Sequence, residues 1–72
     1  MKMYDPALMV RVTKLREGLE PQPLAKLMAI APELKLKASR CRRILTRKCY
    51  PGDAVLIYDM ECAKEKLLKA RS

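Results

Sequence analysis

The chain has 72 residues and a formal net charge of +8, and it contains no His, no Trp and no Phe. A chain this short buries only about 60% of the surface that its unfolded form exposes, so we expect residues 1–72 to form one small domain of modest stability. The commonest general base is missing, and there is no glycine-rich phosphate loop and no pairing of nucleophile with base. We therefore expect no enzyme.

The cysteines do not form a pattern typical of a metal site. Cys41, Cys49 and Cys62 are widely spaced, with no CxxC pair and no histidine to complete a ligand set, so we expect no metal and no other cofactor. With no signal-peptide pattern and no apolar run that could span a bilayer, we expect a cytoplasmic protein with reduced thiols and no membrane partner. Basic neighbours would lower the thiol pKa of Cys41 or Cys49, which makes a reactive cysteine the minor alternative.

A first helix is predicted to start at Asp5 and Pro6, because Asp accepts hydrogen bonds from the first amides and Pro needs no N–H there. Four apolar residues then form one stripe at helical spacing, namely Leu8, Val12, Leu15 and Leu19. Gly18 and the proline-containing segment 21–23 predict its end. A short strand over residues 8–13, which alternate between apolar and polar, is the alternative.

A second, short helix is predicted between Pro23 and Pro32, since proline suits the first position of a helix and cannot continue one. Its apolar face consists of Leu24, Leu27, Met28 and Ala31. A helix this short depends on tertiary packing for its stability. Residues 33–38 show no clear period, and we interpret them as a connection or as the irregular start of the next helix.

Most of the net charge lies in residues 35–48, where seven of fourteen residues are basic and none is acidic. The net charge of this segment is +7, against +1 for residues 1–34 (five basic, four acidic) and 0 for residues 49–72 (four of each). A cluster of like charges repels itself, and a polyanionic partner that releases bound counterions relieves the repulsion. Nucleic acid is therefore the first hypothesis, and a solvated helix face that aids solubility is the alternative.

A basic helix over about residues 39–49 is predicted within this segment, with Ser39 as its N-cap. At about 100° per residue, one side of the helix carries Arg40, Arg43 and Arg47, widened by Arg42 and Thr46. The opposite side, which we expect to face the core, carries Cys41, Leu45 and Cys49.

A turn at residues 50–52 and a last helix after Asp53 complete the predicted elements. The apolar run 54–58 fits either a helix or a short buried strand, and we favour a helix because one stripe continues along the chain: Leu56, Met60, Ala63 and Leu67. The predicted fold is therefore all-α, a small bundle of about four helices.

Because the apolar stripe of the last helix is longer than so small a core can cover, we predict a homodimer that pairs through Leu56, Met60 and Leu67.

Three segments resemble the phage-repressor class of helix-turn-helix proteins. Residues 24–28 (LAKLM) are similar to the first motif helix of that class, residues 39–48 (SRCRRILTRK) to its recognition helix, and residues 50–60 to the turn and packing helix that follow. The connection from Ala29 to Ala38 is longer than the family's turn. The resemblance implies that the recognition helix lies in the major groove, with Arg47 and Lys48 near phosphates at its end.

Charge and resemblance together predict a DNA-binding regulator of transcription that contacts double-stranded DNA. The predicted nucleic-acid-binding residues are Lys35, Lys37, Ser39, Arg40, Arg42, Arg43, Arg47 and Lys48. Arginine forks can bond guanine O6 and N7 together, and a helix N-terminus favours an anion. RNA or an acidic protein is the alternative partner, and in the latter case the chain would be a small helical module or inhibitor that docks on another protein.

A ribbon-helix-helix arrangement is the rival within the same functional class. Residues 9–13 would then form a paired strand in an obligate dimer, with Arg11 and Thr13 contacting bases. Pro21 and Pro23 would fall inside its first helix, which argues against this arrangement.

Overall fold

The computed structural model describes residues 4–71, and within them the chain forms four α-helices and no strand. The helices are α1 (Pro6–Arg16), α2 (Pro23–Ile30), α3 (Ala38–Thr46) and α4 (Ala54–Arg71), with short 3₁₀-helices at Pro32–Lys37 and Pro51–Asp53. The predicted all-α bundle of four helices is confirmed. The strand alternatives at residues 8–13 and 54–58 are wrong, and the ribbon-helix-helix arrangement fails with the first of them.

Local signals fix both ends of α1 as predicted. The Asp5 Oδ1 accepts hydrogen bonds from the amides of Ala7 (3.0 Å) and Leu8 (3.4 Å), which satisfies two of the first orphan donors. Gly18 has a φ of +81°, a left-handed conformation that glycine adopts without steric cost. The predicted apolar stripe is buried at all four of its positions, Leu8, Val12, Leu15 and Leu19.

The segment between α2 and α3 is a 3₁₀-helix that runs directly into α3, so the interpretation of residues 33–38 as an irregular helix start is confirmed. With about three residues per turn, positions three apart share a face. Ala31 and Leu34 accordingly point into the core, at 6% and 3% exposure, whereas Leu36 is 89% exposed.

The boundaries of the basic helix differ from the prediction at both ends. Ser39 is not the N-cap, because the helix begins at Ala38 with Lys37 in the cap position and no side-chain capping bond. The preceding 3₁₀-helix explains this, since its carbonyls already lie in line with the first turn of α3. The helix ends at Thr46 rather than near Cys49, because Arg47 is extended (φ −133°, ψ −151°).

The early end of α3 is accompanied by a backbone contact between Cys49 and the start of α1. The Cys49 side chain is fully buried, and its carbonyl accepts a 2.6 Å hydrogen bond from the Asp5 amide at the start of α1. A helix continued to residue 49 would not direct that carbonyl toward α1, so Arg47 and Lys48 leave the helix as an extended connection.

The last helix packs along α1 and α2, and its buried side includes Leu56, Ile57, Met60 and Ala63. Leu56 and Met60 are 2% and 0% exposed, so the prediction that they form a dimer interface is wrong. A second chain cannot contact them while this fold is intact. Leu67 is half-buried and packs against the same core. In residues 4–71 no helix combines the length and apolar character needed to cross a membrane.

Candidate nucleic-acid interface

The eight predicted nucleic-acid-binding residues lie on the 3₁₀-helix at Pro32–Lys37, on α3 and on the connection after it. All are exposed except Arg43, which is half-buried. The opposite side of α3 packs into the core through Cys41 and Leu45, as predicted, and also through Ile44, while Cys49 is buried beyond the end of the helix. The eight residues therefore lie on the outer side of the bundle, and we call them the basic face: Lys35, Lys37, Ser39, Arg40, Arg42, Arg43, Arg47 and Lys48.

A buried carboxylate lies beneath the basic face, and the sequence analysis had assigned it no role there. Asp53 is 2% exposed. Its Oδ1 accepts hydrogen bonds from Arg40 Nε (3.1 Å) and Arg43 Nη2 (2.9 Å), and its Oδ2 accepts from Arg43 Nη1 (3.1 Å) and the Tyr50 amide (2.9 Å). Every lone-pair region of this carboxylate is thus used, as burial of a charge requires.

These bonds change the acidity of Asp53. Burial alone raises the pKa of the carboxyl group, because it disfavours the charged form. The hydrogen bonds from Arg43, from the Tyr50 amide and from Arg40 outweigh burial and lower the pKa to about 2. Asp53 is therefore ionised at neutral pH and cancels part of the charge of the two arginines.

Arg40 and Arg43 consequently stabilise the loop 47–53 through hydrogen bonds. Arg40 Nη2 also donates to the Gly52 carbonyl at 2.6 Å, and Arg43 Nη1 donates to the Lys48 carbonyl at 3.2 Å. The Arg43 guanidinium lies 5.7 Å from the centroid of the Tyr50 ring. With 42% and 35% of their side chains exposed, both arginines keep a solvent-facing edge, but Arg40 already donates two hydrogen bonds within the fold and Arg43 donates three.

The other basic residues of the basic face make no such hydrogen bonds within the fold. Within residues 4–71, the side chains of Lys35, Lys37, Arg42 and Arg47 form no ion pair and donate no hydrogen bond. The Lys48 ammonium lies 4.6 Å from the centroid of the Tyr4 ring, a cation–π contact that leaves its donors free for an anion. We call these five residues the free cations.

Elsewhere the fold uses many of its cations internally. Arg11 pairs with Glu61 at 2.6 Å, and Arg16 pairs with Glu20. Lys26 donates to the Leu19 carbonyl at 3.0 Å, and Lys64 donates to the Lys14 carbonyl at 2.9 Å. The free cations differ from these residues because their side chains have no hydrogen-bond or ion-pair partner within residues 4–71.

Two shallow depressions run side by side across the basic face. One, of about 300 Å³, is lined by Ser39, Arg42, Arg43, Thr46 and Arg47. The other, of about 440 Å³, is lined by Arg43, Arg47, Lys48 and Tyr50. Because Arg43 and Arg47 line both, the depressions form one continuous cationic surface that can hold successive anionic groups.

The cysteines near the basic face do not form a reactive site. Burial raises the pKa of the Cys41 and Cys49 thiols, and it outweighs the opposite effect of Arg40 and Lys37 near Cys41 and of Arg43 near Cys49. The alternative of a basic environment that activates these thiols is therefore wrong. In the described part of the chain, no three His, Cys, Asp or Glu side chains come together in a way that could hold a metal ion.

Burial predicts the accessibility of each thiol. In the folded protein a thiol-reactive dye should label Cys62, which is half-buried on α4, well before Cys41 and Cys49, which are 0% exposed. Denaturant should expose all three thiols to the dye, and the Cys62→Ser variant should show only slow labelling when folded. Fast labelling of that variant would place Cys41 or Cys49 at the surface and contradict the packing of α3.

Comparison with protein-family models, with curated proteins and with solved structures found no significant match to this chain. The functional argument therefore depends on the geometry and charge of the basic face.

Proposed function

We propose that the protein binds double-stranded DNA through the basic face and acts as a DNA-binding regulator. The observation that carries the proposal is the group of five free cations on one surface without an acidic partner among the described residues. Self-repulsion makes such a surface costly in the isolated protein, and a phosphate backbone relieves that cost.

The free cations would supply most of the affinity. Each phosphate that a lysine or arginine neutralises releases counterions, and each contact adds about 0.9 to the slope of log K against log salt concentration for duplex DNA. Five contacts would give a slope of roughly −4.5. Binding should therefore be strong at low salt and weaken steeply as salt is added.

Sequence preference would come from the exposed first turns of α3. Ser39 and Arg42 lie there with unengaged polar groups. A free guanidinium can bond guanine O6 and N7 together, whereas Arg40 and Arg43 already direct part of the guanidinium at Asp53. The resemblance to phage repressors supports the same assignment for α3.

Titration of a labelled random DNA duplex at several salt concentrations tests the proposal. On a duplex of random sequence, which offers no selected guanine site, both arginines should contact phosphates. We therefore expect the salt slope of the Arg42→Ala/Arg47→Ala double variant to become shallower by about 1.8. Arg42 and Arg47 are the suitable positions, because replacing Arg40 or Arg43 would also remove an ion pair with the buried Asp53.

The matched control is Lys66→Ala/Lys69→Ala, which removes the same charge from exposed positions of α4. This control should keep a slope close to that of the parent. Equal slopes for the parent and for the Arg42→Ala/Arg47→Ala variant, both folded, would contradict the proposal. Tighter binding of an RNA duplex in the same titration would assign the face to RNA.

The homodimer stays a prediction, now without Leu56 and Met60. Val55 and Tyr58 are 71% and 59% exposed on α4, one helical turn apart, and offer apolar surface that the fold leaves uncovered. Dimerisation would place two basic faces on one duplex and raise affinity without new contact chemistry. Sedimentation equilibrium at micromolar concentrations should give twice the monomer mass of 8.3 kDa, and Tyr58→Glu should lower it to the monomer value. A monomer mass for the parent would exclude the dimer.

A further inference from the structure

An apolar groove lies between α2 and α3, beside the basic face. Its volume is about 270 Å³, at the small end of the range for small-molecule pockets, and its lining is mostly apolar. The groove is therefore suited to one or two side chains of another protein rather than to a free metabolite. The residues that form it include Leu24, Ala25, Met28, Arg42, Leu45 and Thr46.

The groove is continuous with the cationic surface. Arg42 and Thr46 line both the groove and the adjoining polar depression, so an apolar slot and a free guanidinium share one wall. A phosphate backbone has no apolar group that could fill the slot. A protein segment can supply an apolar side chain for the slot and carboxylates for the cations beside it.

The wall of the groove can adjust to such a side chain. Met28 is half-buried, and its unbranched thioether adapts to partners of different shape. Arg42 and Arg47 have no acidic partner within residues 4–71, so the charge beside the groove is complementary to an acidic segment. Lys26, by contrast, already donates to two carbonyls on the other side of α2.

We propose that the groove between α2 and α3 binds an acidic segment of another protein, which inserts an apolar side chain against Met28 and Leu45 and places carboxylates on Arg42 and Arg47. Because Arg42 and Arg47 are also among the free cations, this segment and DNA exclude each other. Only this mutual exclusion rests on the proposed function. Binding of the acidic segment in the groove does not depend on DNA binding.

A phage-displayed library of random linear peptides, selected on the intact protein, tests the proposal. We expect the enriched peptides to be rich in Asp and Glu around a recurring apolar position. A labelled synthetic peptide of the enriched sequence should bind at least about tenfold more weakly when its apolar residue is replaced by serine, since a tenfold loss corresponds to about 1.4 kcal/mol and a buried anchor contributes at least that much.

Two variants of the protein locate the site. Ala25→Trp fills the groove from an exposed position of α2 without changing the charge, and it should weaken the labelled peptide about tenfold or more. Ala70→Trp makes the same change on exposed α4 and should leave binding unaltered. A selection that enriches no acidic peptide, or peptide binding that Ala25→Trp leaves unchanged, would overturn the proposal.

Competition separates this inference from DNA binding. Increasing peptide should release a labelled DNA duplex from the parent protein. If the protein binds the peptide through the groove and binds no duplex at any salt concentration, the proposed function fails and the peptide site stands. If the protein binds the duplex and the peptide at the same time, the shared use of Arg42 and Arg47 is wrong.

Discussion

The Leu45→Ala variant should lose about 2–5 kcal/mol of unfolding free energy, the usual cost of truncating a fully buried leucine. Leu45 is 3% exposed on the inner side of α3, and its carbonyl accepts a 3.2 Å hydrogen bond from Arg16 Nη1 of α1. Apart from the edge that lines the groove between α2 and α3, the side chain removed by the substitution packs against the core, so its loss leaves much of the site unfilled. In so small a domain this loss is a large part of the total stability.

Leu36→Ala is the matched control, because it makes the same chemical change at a position that is 89% exposed. This variant should stay within about 0.5 kcal/mol of the parent. Urea denaturation followed by far-UV circular dichroism measures both. Equal midpoints for Leu45→Ala and Leu36→Ala would mean that α3 does not face the core as described, and that the arginines do not point outward.

Replacement of Asp53 by asparagine should cost about 3 kcal/mol at neutral pH, since removing one partner of a buried ion pair leaves the others uncompensated. The value lies at the lower end of the usual range because Arg40 and Arg43 are partly exposed and can be hydrated. The substitution also weakens the link between α3 and the turn before α4. Asp59→Asn, at an exposed position of α4, is the control and should have little effect.

The same carboxylate predicts how stability depends on pH. The folded pKa of Asp53 is lowered from 3.8 to about 2, so its contribution is complete above about pH 4 and is lost as the pH falls through the folded value. A shift of this size corresponds to about 2 kcal/mol. The parent should therefore lose about 2 kcal/mol more than Asp53→Asn between pH 4 and pH 2. Parallel pH profiles for the two proteins would contradict the ion-pair geometry.

Much of the local structure could be predicted because its causes lie within a helical turn. Asp5 caps α1 through amides two and three residues away, and Gly18 adopts its left-handed conformation where it stands. Apolar spacing also placed the core side of α3 correctly. Each of these signals involves residues that remain neighbours whatever the tertiary fold.

The functional surface was predictable only in part. Charge density placed the basic face on the outer side of α3, but it could not separate the free cations from the two arginines that hold Asp53. Asp53 lies thirteen and ten residues from Arg40 and Arg43, and no periodic spacing links positions on either side of a turn. A carboxylate five positions beyond the end of the basic segment was the only signal, and it was equally consistent with a helix cap.

By itself, therefore, the sequence determined the approximate positions of the four helices, the inward sides of α1, α2 and α3 and the concentration of positive charge, because these depend on residues close together in the chain. The tertiary structure alone decided three other features: that α3 ends at Thr46, that Leu56 and Met60 are covered within the single chain, and that Asp53 neutralises part of the basic face. Each of these depends on how distant helices pack, since burial and charge pairing are set by neighbours in space and not by neighbours in the chain.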